Sequence, residues 1–255
     1  MSLILAAHGT RRSSGVAMIA DLAAQVSALV DCPVHVGFVD VLGPTPREVL
    51  CSAADSRRPA IVVPAFLSRG YHVRTDLPSH IAASGHRNVT VTPALGPSPE
   101  IARIVVQQMA KSGWRPGDSV ILAAAGTSDR RARADLCTTA ALLSALTGSR
   151  VELAFAATGD PDVHEAVTNA RRQGARRVVV ASYLLAEGLF QERLRGCGAD
   201  LVTPPLGTHP GLARLVAHRF RRAVPHRSCG QRPQYMSNSD GRQALLAGYA
   251  DVGDA

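Results

Sequence analysis

Residues 3–11, LILAAHGTR, and residues 65–76, AFLSRGYHVRTD, decide how this chain is read. The first is an apolar run, 3–7, that stops at His8; the second continues the run 60–66 and carries His72. Short runs that are apolar at every position and bounded by glycine are what a parallel strand covered on both faces requires. The strands of an open α/β sheet deliver their carboxyl ends to one edge, where ligands bind. Two histidines far apart in sequence are thereby brought to a common crevice.

Outward from these islands, strands and helices alternate. Loop GTRRSSG leads into 16–30, where Ile19, Leu22, Ala23 and Val26 recur at helical spacing. A second strand, 34–39, ends at Asp40, and TPRE at 45–48 reads as a capping box with proline at the first helical position. A fourth strand is expected over 89–92 and a helix from Ser98 and Pro99 to Lys111. This βαβαβαβα order predicts an α/β fold with a mainly parallel, doubly wound sheet.

After the Gly/Pro break SGWRPGD at 112–118 the pattern returns. VILAAAGTS repeats LILAAHGTR, VELAFA repeats VHVGFV, VVVASYLLAEGL repeats IVVPAFLSRGYH, and TPPLGTHP repeats TPALGPSP. The chain is an internal duplication, with domains expected at 1–114 and 115–225 and a flexible tail at 226–255, in which 243–249 has some helical pattern. At a constant offset (125 − 8 = 117), Ala125, Ala157 and Leu189 stand for His8, Asp40 and His72. The framework is kept and the proton-active set is lost. A polar group needed by the fold itself would have to persist in both copies, because buried polar groups without partners are costly. The three residues are therefore assigned to chemistry in copy one, and the other histidines, His35, His80, His86, His164, His209, His218 and His226, to structure.

Composition narrows the class. The 255 residues carry a net charge of +8, and Lys111 is the sole lysine, so the positive charge is borne by arginine, whose planar fork suits carboxylates. Aromatics at 4% are too few for a nucleic-acid stacking platform. The five scattered cysteines contain no C-x-x-C pair, and the sequence reads as a cytoplasmic protein with reduced thiols and no membrane span. The HG of His8 does not follow an arginine, as a phosphatase nucleophile would, and no P-loop or G-x-G-x-x-G is present. Two imidazoles and a carboxylate with open positions hold a divalent first-row metal loosely, or act as bases.

AAHGTR, the strand exit Phe38-Val39-Asp40 and above all VVPAFLSRGYHVRTDLP together resemble the sirohydrochlorin chelatases, the class II tetrapyrrole chelatases of the siroheme and anaerobic cobalamin pathways. The two-copy layout is similar to the long form of that family. The resemblance implies that His8 and His72 bind the incoming metal and take protons from the macrocycle, assisted by an acidic residue. Asp40 stands where the family usually has glutamate. It implies as partners sirohydrochlorin and a divalent ion used as substrate, Fe2+ ahead of Co2+, with no tightly bound cofactor; a carrier of metal or tetrapyrrole is the alternative. Thr10, Arg11, Ser13, Ser14, Arg69 and Arg74 are the loop residues expected to hold its carboxylates, and Asp76 is expected to cap the next helix. Copy two is expected to cover the cleft, with Glu187 and Arg193 its candidates for reaching substrate, and the duplication lets the chain act as a monomer.

Overall fold

The computed structural model describes residues 1–52 and 58–224. In copy one, β1 (Ser2–Ala7), β2 (Val34–Phe38), β3 (Ala60–Pro64) and β4 (Val89–Val91) form a parallel sheet in the order β2-β1-β3-β4. Copy two repeats it with β5 (Ser119–Ala124), β6 (Val151–Phe155), β7 (Val178–Tyr183) and β8 (Leu201–Val202) in the order β6-β5-β7-β8. The connecting helices are α1 (Ser13–Val30), α2 (Pro46–Ser52), α3 (Leu77–Ser84) and α4 (Pro99–Lys111), then α5 (Arg130–Thr147), α6 (Val163–Arg172), α7 (Leu189–Arg195) and α8 (Pro210–Ala223). The fold is α/β with two like sheets, as the alternation predicts.

Local chemistry sets the helix ends. Thr45 and Glu48 form the expected box: Thr45 N–H donates to Glu48 Oε2 at 2.7 Å and Glu48 N–H to Thr45 Oγ1 at 3.2 Å. Ser98 Oγ accepts from Ile101 N–H, and Pro99 occupies the first turn of α4. The duplication extends to single bonds, since Ser27 Oγ accepts from Val34 N–H in copy one and Ser144 Oγ from Val151 N–H in copy two, each at 2.9 Å.

Strand alternation divides the core into three. Leu3 and Leu5 face inward, with Ile61, Val63, Val120 and Leu122, into one cluster shared by both sheets. Ile4, Ala6 and Val62 face outward under α2 and α3, while Ile121, Ala123 and Val180 face outward under α6. Helices α1 and α8 pack together from opposite copies, as do α4 and α5, so the shared cluster is sealed by crossed pairs. Met1–Val224 is consequently one compact unit holding both sheets. The boundary expected at 114 and 115 falls between α4 and β5, and the tail at 226–255 lies outside the described residues.

Two expectations change. Strand pairing sets Leu3 opposite Ile61 but Val120 opposite Val179, and Arg74 N–H bonds Gly70 O where Glu192 N–H bonds Gly188 O. From β3 through the His72 turn the offset is therefore one larger (188 − 70 = 118), and Phe190, not Leu189, stands for His72. The replacement is still apolar. Helix α1, with 18 residues and a hydropathy of 1.4, is long and apolar enough to cross a membrane by length and composition, although no such run was expected. Asp21 and Gln25 interrupt it, and Gly15, Ile19, Leu22, Ala23 and Val26 are buried in the protein.

Candidate active site

A cleft of about 860 Å3 opens at the carboxyl ends of β1, β3, β5 and β7. That size falls within the roughly 300–1,000 Å3 of small-molecule sites. Equivalent residues of the two copies face each other across it: Ala7 and Ala124, His8 and Ala125, Phe66 and Leu184, His72 and Phe190. One wall carries imidazole and the other is mainly apolar. Leu189 and Phe190 are both exposed there.

His8 leaves β1 at a turn made possible by Gly9. Gly9 has φ +96°, and a Cβ there would lie 2.3 Å from Asp40 O, so any side chain would force the β1 and β2 exits apart. Asp40 N–H donates to His8 O at 3.2 Å and joins the two exits. His72 opens a π-helical turn, His72–Asp76, in which Leu77 N–H reaches back to His72 O. Such wide turns are frequent at functional sites.

The two rings meet edge to face with centroids 4.4 Å apart. Phe66 lies nearly parallel to His72 at 6.2 Å and fixes its plane. His8 Nδ1 sits 3.1 Å from Gly9 O, and His72 Nδ1 2.6 Å from Asp76 Oδ2. A carbonyl and a carboxylate only accept, so Nδ1 carries the proton in both rings. Each Nε2 then keeps its lone pair for a metal or a proton. The Asp76 bond orients the His72 ring, as a carboxylate behind an imidazole does in metal sites. Asp76 makes no cap for α3, contrary to expectation; its contact is signalled in sequence by H-V-R-T-D, a spacing of four that sets His72 and Asp76 on one helical face.

Among the described residues no hydrogen bond joins Asp40 to either ring. Its Oδ1 accepts from Val41 N–H at 2.7 Å, bracing a valine held at φ 71°, and it lines a neighbouring pocket that His72 also lines, with Glu48, Asp76 and His80. Val41 takes the cleft side instead. Among the described residues no group of three or more His, Cys, Asp or Glu is arranged to hold a metal, so the expected set His8, His72 and Asp40 is not gathered in this structure, where only the two imidazoles meet.

The loop residues divide similarly. Thr10 and Arg11 line the cleft, joined by Arg12, which pairs with Glu192 of copy two at 3.0 Å. Ser13 and Ser14 lie in the first turn of α1, exposed and outside the lining. Arg69 and Arg74 are not free for carboxylates: Arg69 is bound by buried Asp135, and Arg74 pairs with Asp129 at 3.1 Å. Glu187 reaches the lining while paired to Arg195, whereas Arg193 bonds Ala156 O away from it. Burial pushes the Asp135 carboxyl up, but the side-chain and backbone bonds from Arg69 and its charge outweigh that and hold it below the ordinary carboxylate value. Nothing in the sequence marks Asp135, because its partner lies in the other copy.

The CbiX family model matches residues 2–112 and again 119–223. Sirohydrochlorin ferrochelatase of Priestia megaterium is 26% identical over 238 residues, 86% of this chain and 89% of the relative. Sirohydrochlorin cobaltochelatase of Methanothermobacter thermautotrophicus is 30% identical over 126 residues, 41% of this chain and 87% of its own. SirB from Bacillus subtilis, solved with Fe3+, shares the fold with a TM-score of 0.73 at 19% identity, covering 87% of this chain and 94% of that one. With the family model matching both copies in order, the chain belongs to the CbiX family, the sirohydrochlorin chelatases, in its long two-repeat form.

Proposed function

We propose that this chain inserts a divalent metal ion into sirohydrochlorin, with His8 and His72 handling both the ion and the displaced protons. The observation that carries this reading is the convergence of two imidazoles, ring centres 4.4 Å apart, on one wall of a cleft whose other wall is mainly apolar. Insertion forms metal–nitrogen bonds and releases two protons from pyrrole nitrogens. A lone pair cannot hold a cation and a proton together. As the ion passes to the macrocycle, each Nε2 is freed in turn, and two imidazoles match two protons. Asp76 then faces an imidazolium at His72 and stabilises it.

The apolar residues Leu185, Leu189 and Phe190 suit the face of a macrocycle, while Thr10 and Arg11 border it with donors for carboxylates. Two ligands leave most of the coordination sphere open, which favours handing the ion on over retaining it. Fe2+ is the favoured ion. It is supported by the relative aligned over both copies, a ferrochelatase, whereas the cobaltochelatase relatives align over less than half the chain.

Anaerobic insertion, followed by the absorbance of sirohydrochlorin with Fe2+ or Co2+ at several substrate-to-protein ratios, tests the reading. Multiple turnovers above the buffer rate are expected, faster with Fe2+. Binding without acceleration would make the chain a carrier and end the chelatase reading.

A further inference from the structure

The His72 loop is gripped by the copy that has lost the chemistry. Along one face of α5, Ala132, Asp135 and Thr139 run beside residues 67–70: a Cβ built on Gly70 would lie 3.6 Å from Ala132, and Thr139 touches Tyr183, whose hydroxyl donates to Leu67 O at 3.0 Å. Asp135 is 3% exposed. Its Oδ2 accepts from Arg69 N–H at 2.8 Å and from Nε at 3.0 Å, and its Oδ1 from Nη2 at 2.5 Å. A carboxylate taken this far from water needs all of these donors.

A tether that merely joined the copies would be expected on both sides of the pseudo-twofold. The outer pair is: Arg74 with Asp129 answers to Glu192 with Arg12, the charges exchanged. The inner grip is one-sided. In the mirror position Met18 stands for Asp135 and lies against Gly207, Ala65 stands for Tyr183, and Glu187, which stands for Arg69, is turned to Arg195. Among the described residues, a carboxylate from the opposite copy holds only the loop that leads to a histidine.

We propose that Asp135 is a positioning residue: through Arg69 it fixes loop 67–70 and so sets the spacing of the His72 ring from the His8 ring. The spacing stands on the geometry alone, while its consequence for metal insertion rests on the function proposed above.

The test uses the full chain with ring-labelled histidine, comparing the nuclear Overhauser effect between the His8 and His72 rings with insertion kinetics. In Asp135→Asn the inter-ring signal is expected to fall at least fivefold and kcat at least tenfold, with KM for sirohydrochlorin within twofold of wild type. Asp118→Asn, which loosens a comparably buried pair with Arg177 at the amino end of β5, should leave both readouts unchanged and shows what loss of stability alone does. An inter-ring signal retained in Asp135→Asn would overturn the proposal. So would a lost signal with undiminished insertion. Should Asp135→Asn not fold, Arg69→Met removes the same side-chain bonds from the exposed partner and is read identically. A wild type that inserts no metal sinks the chelatase reading instead, and the ring signal still decides the spacing.

Discussion

His8 and His72 each have Nδ1 committed, to Gly9 O and to Asp76 Oδ2, so the two Nε2 atoms are the uncommitted nitrogens of an edge-to-face ring pair. His8→Ala and His72→Ala should each slow insertion by at least about a hundredfold, the lower end of what positioned acid–base groups contribute. Both side chains are at least partly exposed at strand or turn exits, so the unfolding free energy should change by no more than about 0.5 kcal/mol. Insertion kinetics and urea unfolding on the same samples separate the two effects.

Asp76→Asn tests the outer shell. The amide keeps the shape but loses the charge that orients His72 and supports its imidazolium. Affinity for Co2+, measured by titration calorimetry, should weaken by about 10- to 100-fold. An unchanged affinity would show that the 2.6 Å bond has no bearing on metal binding.

Asp40→Asn should be mild. The amide oxygen can still accept from Val41 N–H and hold the turn, and the side chain lines the neighbouring pocket. Insertion should change by less than about threefold, well under the hundredfold scale of a proton-transfer group. A loss as large as that of the histidine variants would restore Asp40 to the metal site.

His209 gives a pH dependence. Its Nδ1 accepts from Gly211 N–H at the start of α8, its Nε2 is buried without a partner, and burial, followed by the charges of Lys111 and Arg214, holds its pKa below the ordinary value of 6.5. The unfolded chain therefore binds this proton first as pH falls. Stability is full above about pH 6.5 and is lost as pH falls below it toward the folded-state value. Urea midpoints between pH 7.5 and 5.5 should decline more in wild type than in His209→Asn, whose oxygen can still cap the helix.

Much of this was legible in the chain because the fold is written in local signals. The runs at 3–7 and 60–66 read as buried strands, Thr45-Pro-Arg-Glu48 as a cap and Ser98-Pro99 as a helix start; each forms, the second strand ending two residues early at Pro64. The apolar replacements in copy two marked His8 and His72. What was not legible depended on which way side chains turn. Asp40 and Asp76 lie equally near the histidines in the pattern of exits, but Val41 N–H captures one and His72 Nδ1 the other. Arg69 looked free for substrate because Asp135 reaches it from the far copy, and the pairing offset shifts by one residue ahead of β3 where no insertion shows in a repeat aligned by eye.

The central claim is that one cation is held between the imidazoles of positions 8 and 72. Crystals of the full chain grown with one equivalent of Co2+ and measured across the cobalt absorption edge test it most directly. The account expects a single anomalous peak at about 2.0–2.1 Å, the usual metal–imidazole distance, from Nε2 of both His8 and His72. A peak bound to only one of these rings, or lying in another part of the molecule, would contradict it.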